Sequence, residues 1–326
     1  MRVLTVAITL FALLDLAGCT TVNRDPALYT YDQSRLPQSD LNVTIPGLGP
    51  CTNNPDRTLH LNSQQPVTVL VHGCRGSTGN FRALAEVMAF QGQQSACFDY
   101  DDRDSMMLSS AQLASSLDKL AAHMHNRQIT VIGHSQGALI SRKALMAKRP
   151  NPMQNVDASI RLVTISGPFS GIESAEPCAS PSLFWRVATL GMVEQVCKII
   201  SGDKWFEITS ASDFIRQPGE LRKQVSSYLK IDTDERGACY RNAEGACIAR
   251  DYTFSLREQY YAPVDNDQPV KNVEVKAGHV EIVGDQRVAP VKLIAILQQN
   301  GILNPTEAAR SAEFDRLLAN LYLTQN

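Results

Sequence analysis

Two uninterrupted apolar runs constrain this chain more than any other feature. Residues 66–71 read PVTVLV and residues 129–132 read ITVI. Both are rich in β-branched side chains, whose stiff χ1 suits a pleated surface. A strand with one face in water alternates apolar and polar residues. A strand without that alternation is buried on both faces, as in a parallel sheet covered by helices. The segments around these runs fit that picture. Phe81 to Phe90 reads as a helix and Ser95 to Tyr100 as a short strand. Ala111, Ala114, Leu117, Leu120, Ala121 and Met124 then recur at helical spacing. After ITVI, residues 138–148 read as a helix and Arg161 to Ile165 (RLVTI) as a strand. The expected class is α/β, a mostly parallel sheet flanked by helices.

The alternation lapses between about residues 172 and 249, which points to a lid-like insertion before the last two strands. Those strands are read as Tyr252 to Leu256 (YTFSL) and Asn272 to Lys276 (NVEVK), followed by a helix from Ala289 to Gln299. The α/β domain then spans residues 66–303, and residues 304–326 form a terminal amphipathic helix. Ahead of the domain, residues 19–65 are polar and carry Pro26, Pro37, Pro46, Pro50 and Pro55, a tether with short irregular strands.

Residues 1–18 place Arg2 before an apolar stretch from Val3 to Leu16, the layout of an export signal and too short to span a bilayer. The ending Leu16-Ala17-Gly18-Cys19 resembles the bacterial lipobox. That resemblance implies cleavage before Cys19, lipidation of its thiol and a lipid-anchored protein of the bacterial envelope. Thr20, where an aspartate would signal inner-membrane retention, points to the outer membrane. The competing reading is an ordinary signal peptide with an incidental cysteine, and Asp15 interrupts the apolar run in its favour. Of the eight cysteines, setting Cys19 aside leaves seven, so at least one stays single or pairs outside the chain. Disulfides are expected between Cys239 and Cys247, across YRNAEGA, and between Cys178 and Cys197. No Cys-x-x-Cys spacing suggests a zinc or redox site. With 31 basic and 33 acidic residues and no basic block, nucleic acid is not an expected partner.

Chemistry concentrates at Gly133-His134-Ser135-Gln136-Gly137, between the ITVI strand and the helix-forming ALISRKALMAK. Small residues permit a sharp strand-to-helix turn that raises the serine hydroxyl clear of the sheet, with the helix N-terminus behind it. The bland reading is a glycine-rich turn with an incidental serine. A serine hydroxyl needs a general base. Among histidines 60, 72, 123, 125, 134 and 279, His279 follows NVEVK at the C-terminal edge where a parallel sheet places its sites. His279 is therefore the expected base.

These segments together resemble the α/β-hydrolase superfamily, in its bacterial lipase and esterase branch. GHSQG, VLVHGCRGSTGNF (residues 69–81), TISGPFSG (164–171) and GHVEIV (278–283) carry the likeness, over roughly residues 66–171 and 250–300. The resemblance implies a serine hydrolase acting through an acyl-enzyme on carboxylic esters, lipid or other hydrophobic acyl esters among them. Ser135 is then the nucleophile, and the backbone N–H groups of Cys74 and Gln136 form the oxyanion hole. The triad acid follows the penultimate strand, which favours Glu258, after YTFSLR, with Asp213 as the alternative. No cofactor or metal is implied, and the expected partners are an ester substrate and, through the anchor, a membrane. Leu183-Phe184-Trp185 and Val187 to Leu190 either meet an acyl chain or lipid surface or pack on the body. Thioesterases and acyltransferases share this superfamily. A non-catalytic envelope binding protein on the same fold is the alternative from a different class.

Overall fold

The computed structural model describes residues 34–148, 157–175, 202, 204–243, 245–285 and 288–322. The signal segment, Cys19, Cys178, Cys197 and the apolar stretch 183–190 lie outside these residues. The strands are β1 (Leu41–Val43), β2 (Leu48–Gly49), β3 (Leu59–Leu61), β4 (Val67–Val71), β5 (Gln94–Phe98), β6 (Gln128–His134), β7 (Ser159–Ile165), β8 (Val225–Asp234), β9 (Cys239–Ala243), β10 (Ala246–Arg250) and β11 (Val270–Lys276). The α-helices are α1 (Arg82–Phe90), α2 (Met106–His123), α3 (Gln136–Ala144), α4 (Lys204–Glu207), α5 (Asp213–Arg216), α6 (Leu256–Gln259), α7 (Ala262–Asp265), α8 (Val291–Gln299) and α9 (Ser311–Leu321).

Seven strands form the main sheet in the order β11-β8-β7-β6-β4-β5-β2. All neighbours are parallel except β2, which pairs antiparallel with β5 at one edge. PVTVLV and ITVI become β4 and β6, adjacent at the centre, with every residue of VTVLV buried. Successive side chains leave a strand on opposite faces, so both faces carry core. Val69, Val71 and Val131 join one cluster with Leu113 and Leu117 of α2 and Ile140 of α3. Leu70, Ile132 and Val163 join a second cluster with Leu84 and Val87 of α1, Leu293 and Leu297 of α8, and Phe314 of α9. Each such side chain contributes about 1.5–3 kcal/mol by leaving water. The sheet is therefore a rigid platform whose C-terminal strand edges present the loops.

One expectation about the sheet is corrected. The last two strands of the main sheet are β8 and β11, and YTFSL is not a strand. β8 lies within the 172–249 stretch expected to be an insertion, where its KIDTD sequence disguises it. Lys230 is fully buried there, paired with Asp232 and, at 2.9 Å, with Asp265. A buried charge with partners is tolerated where a lone one is not, and no hydrophobic pattern reveals the pairing. Residues 251–255 stay irregular because the N–H groups of Thr253 and Phe254 serve a carboxylate instead of a ladder.

Among the described residues no cysteine is free. Cys239–Cys247 clasps the β9–β10 hairpin, as expected, and an unforeseen bridge joins Cys51 to Cys97 of β5.

Candidate active site

β6 ends at His134 and α3 begins at Gln136, so Ser135 occupies the whole turn. Its φ of 56° and ψ of −123° lie where an L-residue is strained and persists only if the surroundings hold it. The flanking glycines supply that hold by close approach. A Cβ on Gly137 would lie 2.3 Å from the Val71 carbonyl oxygen, and one on Gly133 would lie 2.3 Å from that of Gly137. α3 can therefore seat its first turn against β4 only with glycine at both places. The Ser135 N–H donates to the Ile165 carbonyl at 2.8 Å, fixing the turn to β7.

The loop after β4 crosses over this turn. A Cβ on Gly73 would sit 2.8 Å from Ser135 Cβ, so Cys74 and Arg75 follow directly beside Ser135. His72 holds the loop's shape: Nδ1 meets the Gly73 carbonyl at 2.9 Å, and the ring stacks on Tyr100 at 4.4 Å. Gln136 is the first residue of α3, so its backbone N–H has no partner within the helix. Cys74 is itself disulfide-bonded.

His279 follows β11 in a loop built by Asp251. The Asp251 carboxylate accepts from the N–H groups of Val280 and Glu281, each at 2.9 Å, and its carbonyl accepts from the His279 N–H at 3.2 Å. Gly278 permits this, since a Cβ there would lie 2.1 Å from Asp251 Oδ2. His134 joins this loop to the serine turn. Its Nε2 donates to the His279 carbonyl at 2.9 Å, and the two rings lie 4.7 Å apart. Burial, then the neighbouring His279, hold the His134 imidazole well below its usual pKa. It stays neutral, with its proton on Nε2 because a carbonyl can only accept.

The carboxylate that meets His279 is Glu235. Its Oε1 lies 2.8 Å from His279 Nδ1 and accepts from Thr233 Oγ1 at 3.1 Å. Its Oε2 accepts from the N–H groups of Thr253 at 2.5 Å and Phe254 at 2.9 Å. The Glu235 side chain is wholly buried, and the Phe254 ring meets the imidazole edge-on at 4.9 Å. Four donors thus hold this carboxylate, and the Nδ1 proton directed at it leaves Nε2 of His279 as the acceptor.

Neither acid expected from sequence lies there. Glu258 closes a capping box on α6, with Oε2 accepting from the N–H and hydroxyl of Ser255 at 2.8 Å each, and its Oε1 takes the Glu173 N–H at 3.0 Å. Asp213 sits exposed in the first turn of α5, where Oδ1 accepts from Gln217 Nε2 at 3.2 Å. The expectation took YTFSL as the penultimate strand of the sheet. Once β8 is that strand, the residue just past its end is Glu235. The available signal was the short run Tyr228-Leu229-Lys230-Ile231 followed by Asp232-Thr233-Asp234-Glu235 and a turn at Gly237. Asp251 had no such signal.

The palmitoyl protein thioesterase family model matches residues 66–236, which is 171 of 326 positions. The match takes in Ser135 and Glu235 and ends before His279. No curated protein matches the chain. Among solved structures, esterase B from Lactobacillus rhamnosis is similar at 13% identity, covering 88% of this chain and 90% of its own, with a TM-score of 0.47. The mature lipase BlEst2 of Bacillus licheniformis is similar at 16% identity, with coverage of 78% and 97% and a TM-score of 0.45. Est2 of Thermogutta terrifontis, with butyrate bound, is similar at 14% identity, with coverage of 75% and 86% and a TM-score of 0.46.

Proposed function

Because the chain belongs to the palmitoyl protein thioesterase family of α/β-hydrolases, we propose that it is a serine hydrolase of hydrophobic acyl esters and thioesters, working through Ser135, His279 and Glu235. The observation that carries this reading is the buried Glu235–His279 hydrogen bond, set in a loop that His134 ties to the strained Ser135 turn.

In the proposed reaction, His279 Nε2 takes the Ser135 proton as Oγ attacks the acyl carbonyl. Glu235 holds the ring in the tautomer that leaves Nε2 free to accept, and it stabilises the imidazolium that forms. The Gln136 and Cys74 N–H groups face the developing oxyanion, where each such donor is worth about 3 kcal/mol. His279 returns the proton to the leaving alcohol or thiol, and water releases the acid by the same steps. The family takes its name from a palmitoyl thioester, which favours thioesters beside the oxyesters of the similar lipases and esterases. We further propose that Cys19 is acylated and anchors the hydrolase to the bacterial envelope, at the outer membrane. Radiolabelled palmitate should enter the wild type and not Cys19→Ser.

The test is labelling with a fluorophosphonate, which requires an activated serine and no knowledge of substrate. Peptide mapping should find the adduct on Ser135, with none in Ser135→Ala. Acyl thioesters and p-nitrophenyl esters of increasing chain length then define the leaving group and the acyl preference. An unlabelled, folded wild type would return the weight to the binding-protein alternative.

A further inference from the structure

We propose that the buried Lys204–Asp102 ion pair positions the oxyanion loop, so that Lys204, from beyond β7, sets turnover without touching the substrate. This inference rests on the serine hydrolase reading above.

Lys204 opens α4 and is 2% exposed. Its Nζ donates to the Asp102 carbonyl, lies 3.3 Å from Asp102 Oδ2 and 3.4 Å from Cys74 Sγ. Asp102 in turn reaches both sides of the proposed oxyanion hole. Its Oδ2 accepts from the Arg75 N–H at 2.7 Å, and its carbonyl accepts from Gln136 Nε2 at 3.2 Å. Arg75 follows Cys74 with a φ of 59°, a conformation a non-glycine residue keeps only when held. The Asp102 carboxylate holds its N–H. Fixing the Arg75 N–H fixes the plane of the Cys74–Arg75 peptide, the unit next to the one that carries the Cys74 N–H, and so limits how far that N–H can turn.

A simple staple between segments would not need to meet these two residues. The staple is present separately: Glu207, at the other end of α4, accepts from Ser105 Oγ at 2.6 Å and from the Met106 N–H. Lys204 instead meets the loop at Cys74, one residue before the left-handed Arg75. The groups around its ammonium are Asp102, Asp101 and Arg103 on the loop after β5, with the disulfide-bonded Cys74 and the neutral Gln136 side chain. Burial outweighs the two carboxylates and brings its pKa down to about 8. The latch is therefore charged below about pH 8 and loosens as the ammonium loses its proton above it.

The experiment uses the whole folded chain with a p-nitrophenyl ester and the fluorophosphonate. Lys204→Met and Asp102→Asn should each lower kcat and the rate of phosphonylation about tenfold, a fraction of what deleting an oxyanion donor costs. KM should stay within about twofold. The double variant should be no worse than the weaker single, because both act through one loop. Wild-type kcat should fall above about pH 8 toward the Lys204→Met value, and that limb should be absent from Lys204→Met. Lys204→Met leaves Asp102 buried without its partner, so if it does not fold, the double variant, which buries neither charge, decides. Wild-type kcat in a folded Lys204→Met or double variant, or losses that multiply, would overturn the inference while leaving Ser135 labelling intact. Loss of labelling in the wild type itself would instead remove the hydrolase reading and this inference together.

Discussion

On one side of β7 the strands β4 and β6 bury every residue but Gln128, and their residue types are valine, isoleucine, leucine, threonine and glycine with one histidine. On the other side β8 buries a lysine, and β11 alternates with most of its residues exposed. The proposed nucleophile stands on the first kind of structure and the proposed base and acid on the second. Ser135 is positioned by backbone: two glycines let α3 sit against β4, and the strained turn follows. His279 and Glu235 are positioned by side chains and loop amides, through Asp251, Thr233, Thr253 and Phe254. A site can thus join a member fixed by close backbone packing to members fixed by hydrogen bonds. Damage to the two should differ in kind, stability on one side and turnover on the other.

The sharpest break in this comparison is Glu235→Gln. It keeps the side chain's size but disturbs the tautomer of His279, and should lower kcat by roughly a thousandfold or more. Glu258→Gln should keep kcat within a few-fold of wild type, and the opposite order in steady-state kinetics would return the acid role to Glu258. Next come the two bridges. Cys51–Cys97 closes a separation of 46 residues and Cys239–Cys247 one of 8. Loop entropy gives about 4 kcal/mol for the first and about 2 kcal/mol for the second. Urea unfolding of the paired Cys→Ser variants should rank them so, with the β9–β10 hairpin variant the milder.

A third, smaller effect separates the two halves directly. Gly137→Ala forces a Cβ against the Val71 backbone and should cost about 3 kcal/mol of stability. Gly278→Ala presses on the Asp251 side chain, which can yield, so its larger effect should be on kcat as the His279 loop loses its carboxylate. Equal stability losses for the two would erase the distinction drawn here. The smallest effect is expected for Ser255→Ala, which removes the α6 capping box. It should lower stability by about 1 kcal/mol with kcat unchanged, marking Glu258 as a cap.

β4, β6 and β7, the helices α1 to α3 and the serine turn were legible because each is encoded within one short stretch of chain. Their signals are continuous apolar runs, helical spacing and glycines flanking a serine. His279 was legible from its place after NVEVK, a strand that alternates cleanly. β8 was not, because Lys230, Asp232 and Thr233 make its sequence polar, and the partners that make burial affordable lie on other segments. YTFSL misled for the converse reason: its residue types suit a strand, but its amides are taken by Glu235.

By itself, then, the sequence determined the parallel core and the turn that carries Ser135, since local packing and backbone sterics act between residues near in the chain. Only the tertiary structure decided that Glu235 meets His279, that Asp251 shapes the histidine loop and that Lys204 reaches Asp102. Those contacts join residues 44, 28 and 102 positions apart. A carboxylate becomes a partner through the donors that surround it after folding, and no spacing along the chain announces them.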